Sequence, residues 1–497
     1  MKLEQICEEL EYQCLKGSMD VEVQDIIYDS RKIVKGVMFV CLTGAVTDGH
    51  NYIPEAVEKG VSVVVLERKS EALQIPDGIT VLKVPSARRA LAFMSAAFFG
   101  YPACKFVTVG VTGTNGKTTT THMIKSILES VGKKAGLIGT NGAIIGEQKI
   151  PLKNTTPESY EIHRLFAAMA EEGCEYVIME VSSQGLKMER TAGIIFDYGI
   201  FTNLSPDHIG TAEHASFAEY LECKRILFHQ CKCGIVNIDD SHYAEILRYH
   251  TCQVRTFSAI SAKKSDFHID LAASHIEPVN ENGKLGMYFY INGVINGEAK
   301  IYIPGQFSVY NALAAMLTCH LMGMSDEAIR KGLLQVQVKG RLERLPISKD
   351  YTMLIDYAHN RVSTENMLSA LLEYHPNHLI CVYGCGGNRS KLRRYDMGEI
   401  TGRMTDLCVL TCDNPRNEEI CDINADIKVG IEKSGGRYVE IDDRKEAIAW
   451  SMSKAQPGDI ILLLGKGHED YQEVKGIKYH FDEREVVDEI LKDNISG

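Results

Sequence analysis

No stretch of the chain approaches the ~20 consecutive apolar residues that a membrane span needs. The first fourteen residues, MKLEQICEELEYQC, are charged and lack the apolar core of a secretory signal. Fifteen cysteines are present, yet none forms a C-x-x-C pair or a His/Cys zinc spacing; the nearest pair is Cys231 and Cys233. That argues against a disulfide framework or a structural zinc site, and implies reduced, mostly buried thiols in a cytoplasmic protein. Basic charge is not in excess either: the net charge is −12. A nucleic-acid partner is not expected, whereas an anionic small substrate stays open, because local basic clusters decide that. There is no internal repeat and no low-complexity linker.

What is present is an ordinary globular composition, 45% hydrophobic and 24% charged, in 497 residues. At roughly 100–200 residues per domain this predicts about three domains. Strands and helices alternate almost throughout, which predicts an α/β fold. Apolar runs at 37–42, 61–67 and 79–84, with helices at 53–59 and 87–99, build a first segment. It closes at Gly100-Tyr101-Pro102. Strands are predicted at 105–113, 176–181, 198–203 and 233–238 in a second segment. Residues 265–304 alternate and carry Asn292-Gly293, a hairpin signal, and a helix follows at 308–322. A third segment shows strands at 352–356, 379–383, 407–411 and 460–464, and helices at 363–374, 425–433 and 443–454. The predicted domains are 1–101, 102–338 and 339–497.

The sharpest local signal is Val109-Gly-Val-Thr-Gly-Thr-Asn-Gly-Lys117-Thr118-Thr119-Thr120. A buried strand enters a glycine-rich turn, and Lys-Thr opens a helix. Backbone N–H groups and the helix N-terminus there make an anion site. Gly113, Thr114, Asn115, Gly116 and Thr119 would cradle phosphates, Lys117 would reach the β/γ-phosphates, and Thr118 would ligate Mg²⁺. The strict phosphate-loop pattern wants glycine at 111, where Val111 stands. The loop by itself implies nucleotide binding and leaves switch, motor and enzyme open.

The form TGTNGKTTT is similar to that of the Mur ligases and their relatives, the folylpolyglutamate and cyanophycin synthetases. The resemblance continues in order through NTTPES (154–159), MEVSSQGL (179–186), FTNLSPDH (201–208), EYLECKRILF (219–228), GQFSVYNALAA (305–315), GRLERL (340–345), DYAHN (356–360), GCGGNR (384–389), DNPRNEE (413–419) and GKGHEDYQE (465–473). It covers the chain from about residue 25 to its end. It implies three domains, the middle one a phosphate-loop ATPase and the last Rossmann-like, and an ATP-dependent ligase. Such an enzyme phosphorylates a carboxylate and lets an amine attack the acyl phosphate.

Residue by residue, the resemblance implies that Glu180, His208 and Lys224 hold Mg²⁺ alongside Thr118. Lys224 would do so as N6-carboxylysine, a carbamate that turns a positive side chain negative. Asn311, Arg341, Asp356 and His359 would embrace ATP. Ser30 and Arg31 would bind the uridine end of a UDP-N-acetylmuramoyl-dipeptide acceptor, and Thr155, Thr156, Ser183 and Arg190 its muramoyl-peptide part. For the incoming amino acid, Arg389, Asn414, Arg416, Gly465 and Glu469 match the members that add meso-diaminopimelate. An arginine would grip its distal carboxylate and a glutamate its distal ammonium; L-lysine is the alternative. Two blocks depart from the usual form. DYAHN continues with Arg361-Val362-Ser363, and SSQGL puts Gln184, to which no contact is assigned, where His is commoner. A monomer is expected, with hinges near 100 and 340.

Overall fold

The computed structural model describes the chain except for residues 45–46, 69–74, 208, 211–212, 261–267 and 497. By compactness it divides into two units, Met1–Phe257 and Asp270–Gly497.

The first unit holds two sheets. One is ordered Gln13–Lys16, Thr80–Lys83, Val63–Leu66, Met38–Val40, Ile26–Ile27, with its first pairing antiparallel and the rest parallel. Its inner strands Met38–Val40 and Val63–Leu66 are apolar along their whole length because both faces are covered. Met38, Val40, Val63, Val65 and Leu82 pack under the helix Ala87–Phe98, while Phe39, Val64 and Val81 meet Ile53 and Ala56. Ser86 ends the loop before that helix and accepts from the Arg89 amide, an N-cap.

Within this unit the second sheet runs Gln253–Ser258, Cys231–Asn237, Phe196–Phe201, Val107–Thr112, Tyr176–Glu180 and Ala135–Gly139, all parallel, and ends in the antiparallel pair Gly142–Ile145 and Gln148–Ile150. Val107–Thr112, the first of its parallel strands in sequence, lies at the centre with later strands on both sides. The chain therefore reverses direction of winding at its carboxyl end, where α/β sheets open a crevice.

A buried histidine in this unit makes a stability prediction. His163, in the helix Ser159–Glu171, is buried against Phe166, and neither ring nitrogen has a hydrogen-bond partner among the described residues. Burial pushes it down to about 4, from an ordinary 6.5. Above the unfolded-state value both states are neutral and nothing is lost. Between 6.5 and 4 only the unfolded chain takes the proton, so stability falls as pH falls, by about 2 kcal/mol at pH 5. His163→Leu is expected to melt higher than the parent at pH 7 and to lose less stability between pH 7.5 and 5. Thermal melts at both pH values check this, and parallel losses in the two proteins would refute it.

The second unit begins with the antiparallel strands Leu271–Glu281, Lys284–Gly293 and Gly297–Ile301, covered by the helix Gln306–Leu321. The hairpin reading of this region holds, but its tight turn is elsewhere. Asn282 and Gly283, both at positive φ, join the first two strands, and Asn292-Gly293 instead ends the second. The remaining sheet is ordered Glu343–Leu345, Thr352–Asp356, Ile460–Leu464, Leu379–Tyr383, Leu407–Leu410, Tyr438–Glu440, parallel except for its first pair. Alternate residues divide between two cores. Leu354, Cys381, Leu410 and Leu462 face the helices Arg361–Leu372, Lys391–Met404 and Ile420–Ser434. Met353, Ile355, Val382 and Leu463 face Arg444–Lys454 and Glu483–Ser496. Among the described residues no helix is long and apolar enough to cross a membrane. All fifteen cysteines are free, and all but Cys14, Cys104, Cys233 and Cys421 are buried.

Candidate functional site

In the first unit the polar residues gather at the carboxyl ends of the central strands. The strand Val107–Thr112 keeps its pairing through Thr112, so Val111 is still a strand residue, buried and opposite Glu180. This is why glycine is dispensable there. The turn proper is Gly113-Thr114-Asn115-Gly116, with Gly113 and Gly116 at φ 150° and 87°. A Cβ on Gly113 would stand 1.9 Å from Thr202 Oγ1, so only glycine fits.

The loop is held from both sides. The Thr114 amide donates to the Asn203 carbonyl (2.9 Å), and the Asn115 amide to Asn203 Oδ1 (2.9 Å). Thr202 Oγ1 donates to the Asn115 carbonyl (2.7 Å), and Thr114 Oγ1 lies 3.0 Å from the Tyr220 hydroxyl. The helix Lys117–Ser130 then starts with Thr118 and Thr119 buried beneath the loop. Lys117 Nζ folds back to donate to the carbonyls of Gly113 (2.8 Å) and Thr114 (3.0 Å).

Lys224, on the helix Phe217–Arg225, converges on the same point. Its Nζ donates to the Gly113 carbonyl (2.8 Å) and lies 4.5 Å from the centre of the Tyr220 ring. The side chain is 1% exposed. Burial, with the neighbouring Lys117, pushes its ammonium well below the usual lysine range. That direction favours the unprotonated amine, the nucleophilic form of lysine.

Glu180 ends the strand Tyr176–Glu180 and is fully buried. It accepts from the Thr140 amide (2.9 Å) and hydroxyl (3.1 Å). Thr140 in turn lies 3.0 Å from the Thr155 hydroxyl, and Thr156 donates to the Glu180 carbonyl (2.9 Å). His208 lies outside the described residues. Among the described residues no three His, Cys, Asp or Glu side chains cluster as a metal site. A metal ion here would draw on Thr118, Glu180 and a Lys224 converted to an oxygen ligand.

Arg190 donates to the Thr156 carbonyl (2.9 Å) and pairs with Glu158 (2.8 Å), which also meets Arg88 (3.3 Å). Ser183 is buried, its hydroxyl 2.9 Å from His214 Nε2. Gly185 is tight against Thr156, where a Cβ would come within 2.6 Å of a methyl; the Gln184 side-chain carbonyl is buried without a partner. Ser30 and Arg31 stand apart from this cluster in sequence. They lie on the turn Ser30–Lys32, where Asp29 accepts from the Arg31 amide (3.1 Å) and guanidinium (2.7 Å).

In the second unit one cavity is lined by His359, Cys385, Arg389, Arg393, Arg394, Asp413, Asn414, Arg416, Gly465 and Glu469, among others. It brings together every residue predicted to meet the amino acid. Asn414 Nδ2 donates to Glu469 Oε2 (2.8 Å). Lys466, fully buried, reaches Asp413 (3.4 Å) and Glu469 (3.7 Å). Burial and the Asp413 charge hold Glu469 above the usual carboxylate range. Arg394, 1% exposed, is neutralised by Glu418 (2.8 Å) and Asp426 (3.0 Å). Arg416 pairs with Glu473 through Nε (3.1 Å). The fully buried pair Arg444–Glu483 (2.7 Å) supports the floor, with Arg444 donating to the carbonyls of Cys412 (3.2 Å) and Leu464 (3.0 Å). It thereby ties together the strand ends that carry Asp413 and Gly465.

Asp356 is buried, accepting from the amides of Ala358 (2.7 Å) and Leu342 (2.8 Å), and burial raises its carboxyl. Arg341 lies over the Tyr357 ring at 5.0 Å, and His359 packs on the other side of the loop, 4.9 Å from Tyr357 between ring centres. Asn311 is buried within Gln306–Leu321. The departure at DYAHN is a capping residue. Asn360 Oδ1 accepts from the Ser363 amide (2.9 Å) and starts the helix Arg361–Leu372. Sequence reading passed over Thr140, Asn203, His214, Tyr220, Asp413, Lys466 and Arg444. Asn203, Tyr220, Asp413 and Lys466 lie inside the motifs given above; Thr140, His214 and Arg444 carried no local signal.

Three family models match in tandem: the Mur ligase family catalytic domain at 22–99, the Mur ligase middle domain at 111–319, and the Mur ligase glutamate ligase domain at 340–467. The chain is 41% identical over 496 residues to the UDP-N-acetylmuramoyl-L-alanyl-D-glutamate–2,6-diaminopimelate ligase of Clostridium tetani, covering 99% of this chain and 100% of that protein. It is 41% identical over 499 residues to the protein of the same name from Clostridium perfringens, with the same coverage. A solved structure of a ligase of that name superposes with a TM-score of 0.69 at 26% identity, covering 100% of this chain and 99% of the other. A MurF ligase from Thermotoga maritima in complex with ADP shares the fold, with a TM-score of 0.61 at 17% identity over 95% of this chain and 98% of that one.

Proposed function

The chain belongs to the Mur ligase family, and from that premise we propose that it joins meso-diaminopimelate to UDP-N-acetylmuramoyl-L-alanyl-D-glutamate, using ATP and releasing ADP and phosphate, in peptidoglycan precursor synthesis. The observation that carries this is the mixed charge of one cavity: Arg389, Arg393 and Arg416 beside Asp413 and Glu469. Diaminopimelate bears a carboxylate and an ammonium at each end, and needs both signs. L-lysine has no distal carboxylate and would leave Arg416 unused.

The reaction runs in two steps. The D-glutamate side-chain carboxylate attacks the γ-phosphorus of ATP, ADP leaves, and an acyl phosphate forms. The amine of diaminopimelate then adds to the acyl carbon, gives up a proton, and expels phosphate. The amides of Gly113–Thr119 and Lys117 hold the phosphates; Asn311, Arg341, Asp356 and His359 hold the rest of the nucleotide. Ser30 and Arg31 take the uridine end of the acceptor, and Thr155, Thr156, Ser183 and Arg190 its muramoyl-peptide part. Thr118, Glu180, His208 and a carbamate on Lys224 would bind Mg²⁺, which supplies positive charge against the phosphate oxygens. The burial and the neighbouring Lys117 that disfavour a charge on Lys224 support that modification, because CO₂ is attacked only by an unprotonated amine. We divide the chain at 1–101, 102–338 and 339–497, and read it as a cytoplasmic monomer; fifteen free thiols fit a reducing compartment.

One assay tests the reading. The protein is incubated with UDP-N-acetylmuramoyl-L-alanyl-D-glutamate, ATP and Mg²⁺, and diaminopimelate or lysine is supplied separately. Tripeptide product and ADP are expected with diaminopimelate. Product with lysine alone would overturn the amino-acid assignment, and ATP turnover that needs neither substrate would overturn the ligase.

A further inference from the structure

Arg416 is held in an unusual way. Its backbone sits at φ 52°, in the left-handed region that a long side chain enters only at a cost. What keeps it there is the hairpin Tyr471–Val474 and Ile477–His480, whose tight turn is Lys475-Gly476 at positive φ. The Arg416 amide donates to the Glu473 carbonyl (2.9 Å), and the Lys475 amide to the Arg416 carbonyl (2.6 Å). The Glu473 amide donates to Asn414 Oδ1 (2.9 Å). The hairpin is thus stitched to the Asp413–Arg416 loop at three points.

The side chains repeat the arrangement. Glu473 Oε2 takes the Arg416 Nε–H (3.1 Å), and the Gly387 carbonyl takes an Nη1–H (2.8 Å). A guanidinium offers a carboxylate two bidentate edges, Nε with Nη2 or Nη1 with Nη2. With Nε occupied, only the end-on edge remains. The plane of the group is also fixed, which removes rotamer freedom that binding would otherwise have to freeze. Glu473 is about a quarter exposed, so the pair is only partly shielded from water.

We infer that Glu473 is a positioning residue for amino-acid selection: it aims Arg416 so that a distal carboxylate is gripped end-on, and so separates diaminopimelate from lysine. This rests on the diaminopimelate reading above. The experiment is steady-state kinetics of the full-length chain with diaminopimelate, lysine and ATP varied in turn. Glu473→Ala is expected to raise the KM for diaminopimelate about tenfold, with kcat within about twofold and the KM for ATP unchanged. Preference for diaminopimelate over lysine should narrow by the same factor. Glu473→Gln keeps an oxygen for Nε–H and should stay within about threefold of the parent. Glu473→Met keeps the length without the acceptor, and should reproduce the Ala result if the Ala variant does not fold. Equal effects on the diaminopimelate and ATP constants, no effect, or a Gln variant as impaired as Ala or Met would each overturn the role. Turnover of diaminopimelate by the parent separates the two failures: its absence refutes the substrate reading, whereas its presence with an unimpaired Ala variant refutes only the part assigned to Glu473.

Discussion

Replacing Lys224 by Gln is expected to lower kcat for tripeptide formation by about a thousandfold while leaving the protein folded. The side chain is almost completely buried, and its Nζ meets only the Gly113 carbonyl and the face of Tyr220 among the contacts described above. A glutamine amide can still donate to that carbonyl, so the loop keeps its shape. What glutamine cannot do is take up CO₂. In the proposed carbamylation the lone pair on Nζ would attack the carbon of CO₂, an N–C bond would form, one C=O bond would open to an oxyanion, and the proton would leave to solvent. Lys117 and Lys224 converge on one carbonyl, so a positive charge on Lys224 would be repelled by Lys117. The carbamate replaces that repulsion with attraction and gives a metal two oxygens. Activity of the parent should therefore fall on removal of CO₂ and return with bicarbonate, and ¹³C-bicarbonate should label one lysine. A Gln variant with more than a tenth of parental activity, or a parent indifferent to CO₂, would refute this.

How much of this was legible beforehand depends on how local each signal was. The phosphate loop was readable because its chemistry is consecutive: strand, glycines, Lys117, Thr118. Even its departure, Val111, is explained by the strand running one residue past that position. The amino-acid cavity was readable through two motifs about fifty residues apart, DNPR and GKGHE, which follow strands on either side of Leu379–Tyr383 and meet through Asn414 and Glu469. The rest depended on distance in sequence. Thr140 reaches Glu180 from the strand Ala135–Gly139, a run too short and glycine-rich to stand out. Arg444 supports the cavity floor from beneath, through carbonyls that no motif names. The helix Lys391–Met404 was missed for a different reason: it has no apolar stripe. It packs closely on Ile420–Ser434 through glycines, and a Cβ on Gly398 would come within 2.1 Å of the Ile427 carbonyl. Periodicity cannot see a contact made by the absence of side chains. The first hairpin turn was not located, because three Asn-Gly pairs fall between 282 and 297 and only register decides which one turns the chain.

Arg416→Ala should raise the KM for diaminopimelate about a hundredfold, close to 3 kcal/mol, and leave the KM for ATP nearly unchanged. The size follows from what the cavity would lose. Arg394 is already neutralised by Glu418 and Asp426, and Lys466 is buried against Asp413 and Glu469, so neither can take over a distal carboxylate. Arg389 and Arg393 line the cavity but come from a different loop and from the helix Lys391–Met404, and removal of Arg416 would leave Glu473 unpaired beside the substrate's own negative charge. The loss should thus exceed that for Glu473→Ala, which disturbs the aim of the guanidinium but not its charge. Lysine supplies the control. It has no distal carboxylate, so whatever weak use the enzyme makes of it should be unaffected by the substitution, and the preference between the two amino acids should collapse through the diaminopimelate constant alone. Arg416→Lys should recover only part of the loss, because an ammonium is a point charge without the planar fork. Equal rises in the constants for ATP and diaminopimelate would mean that Arg416 supports the loop rather than the ligand, and the cavity would then have to be read without it.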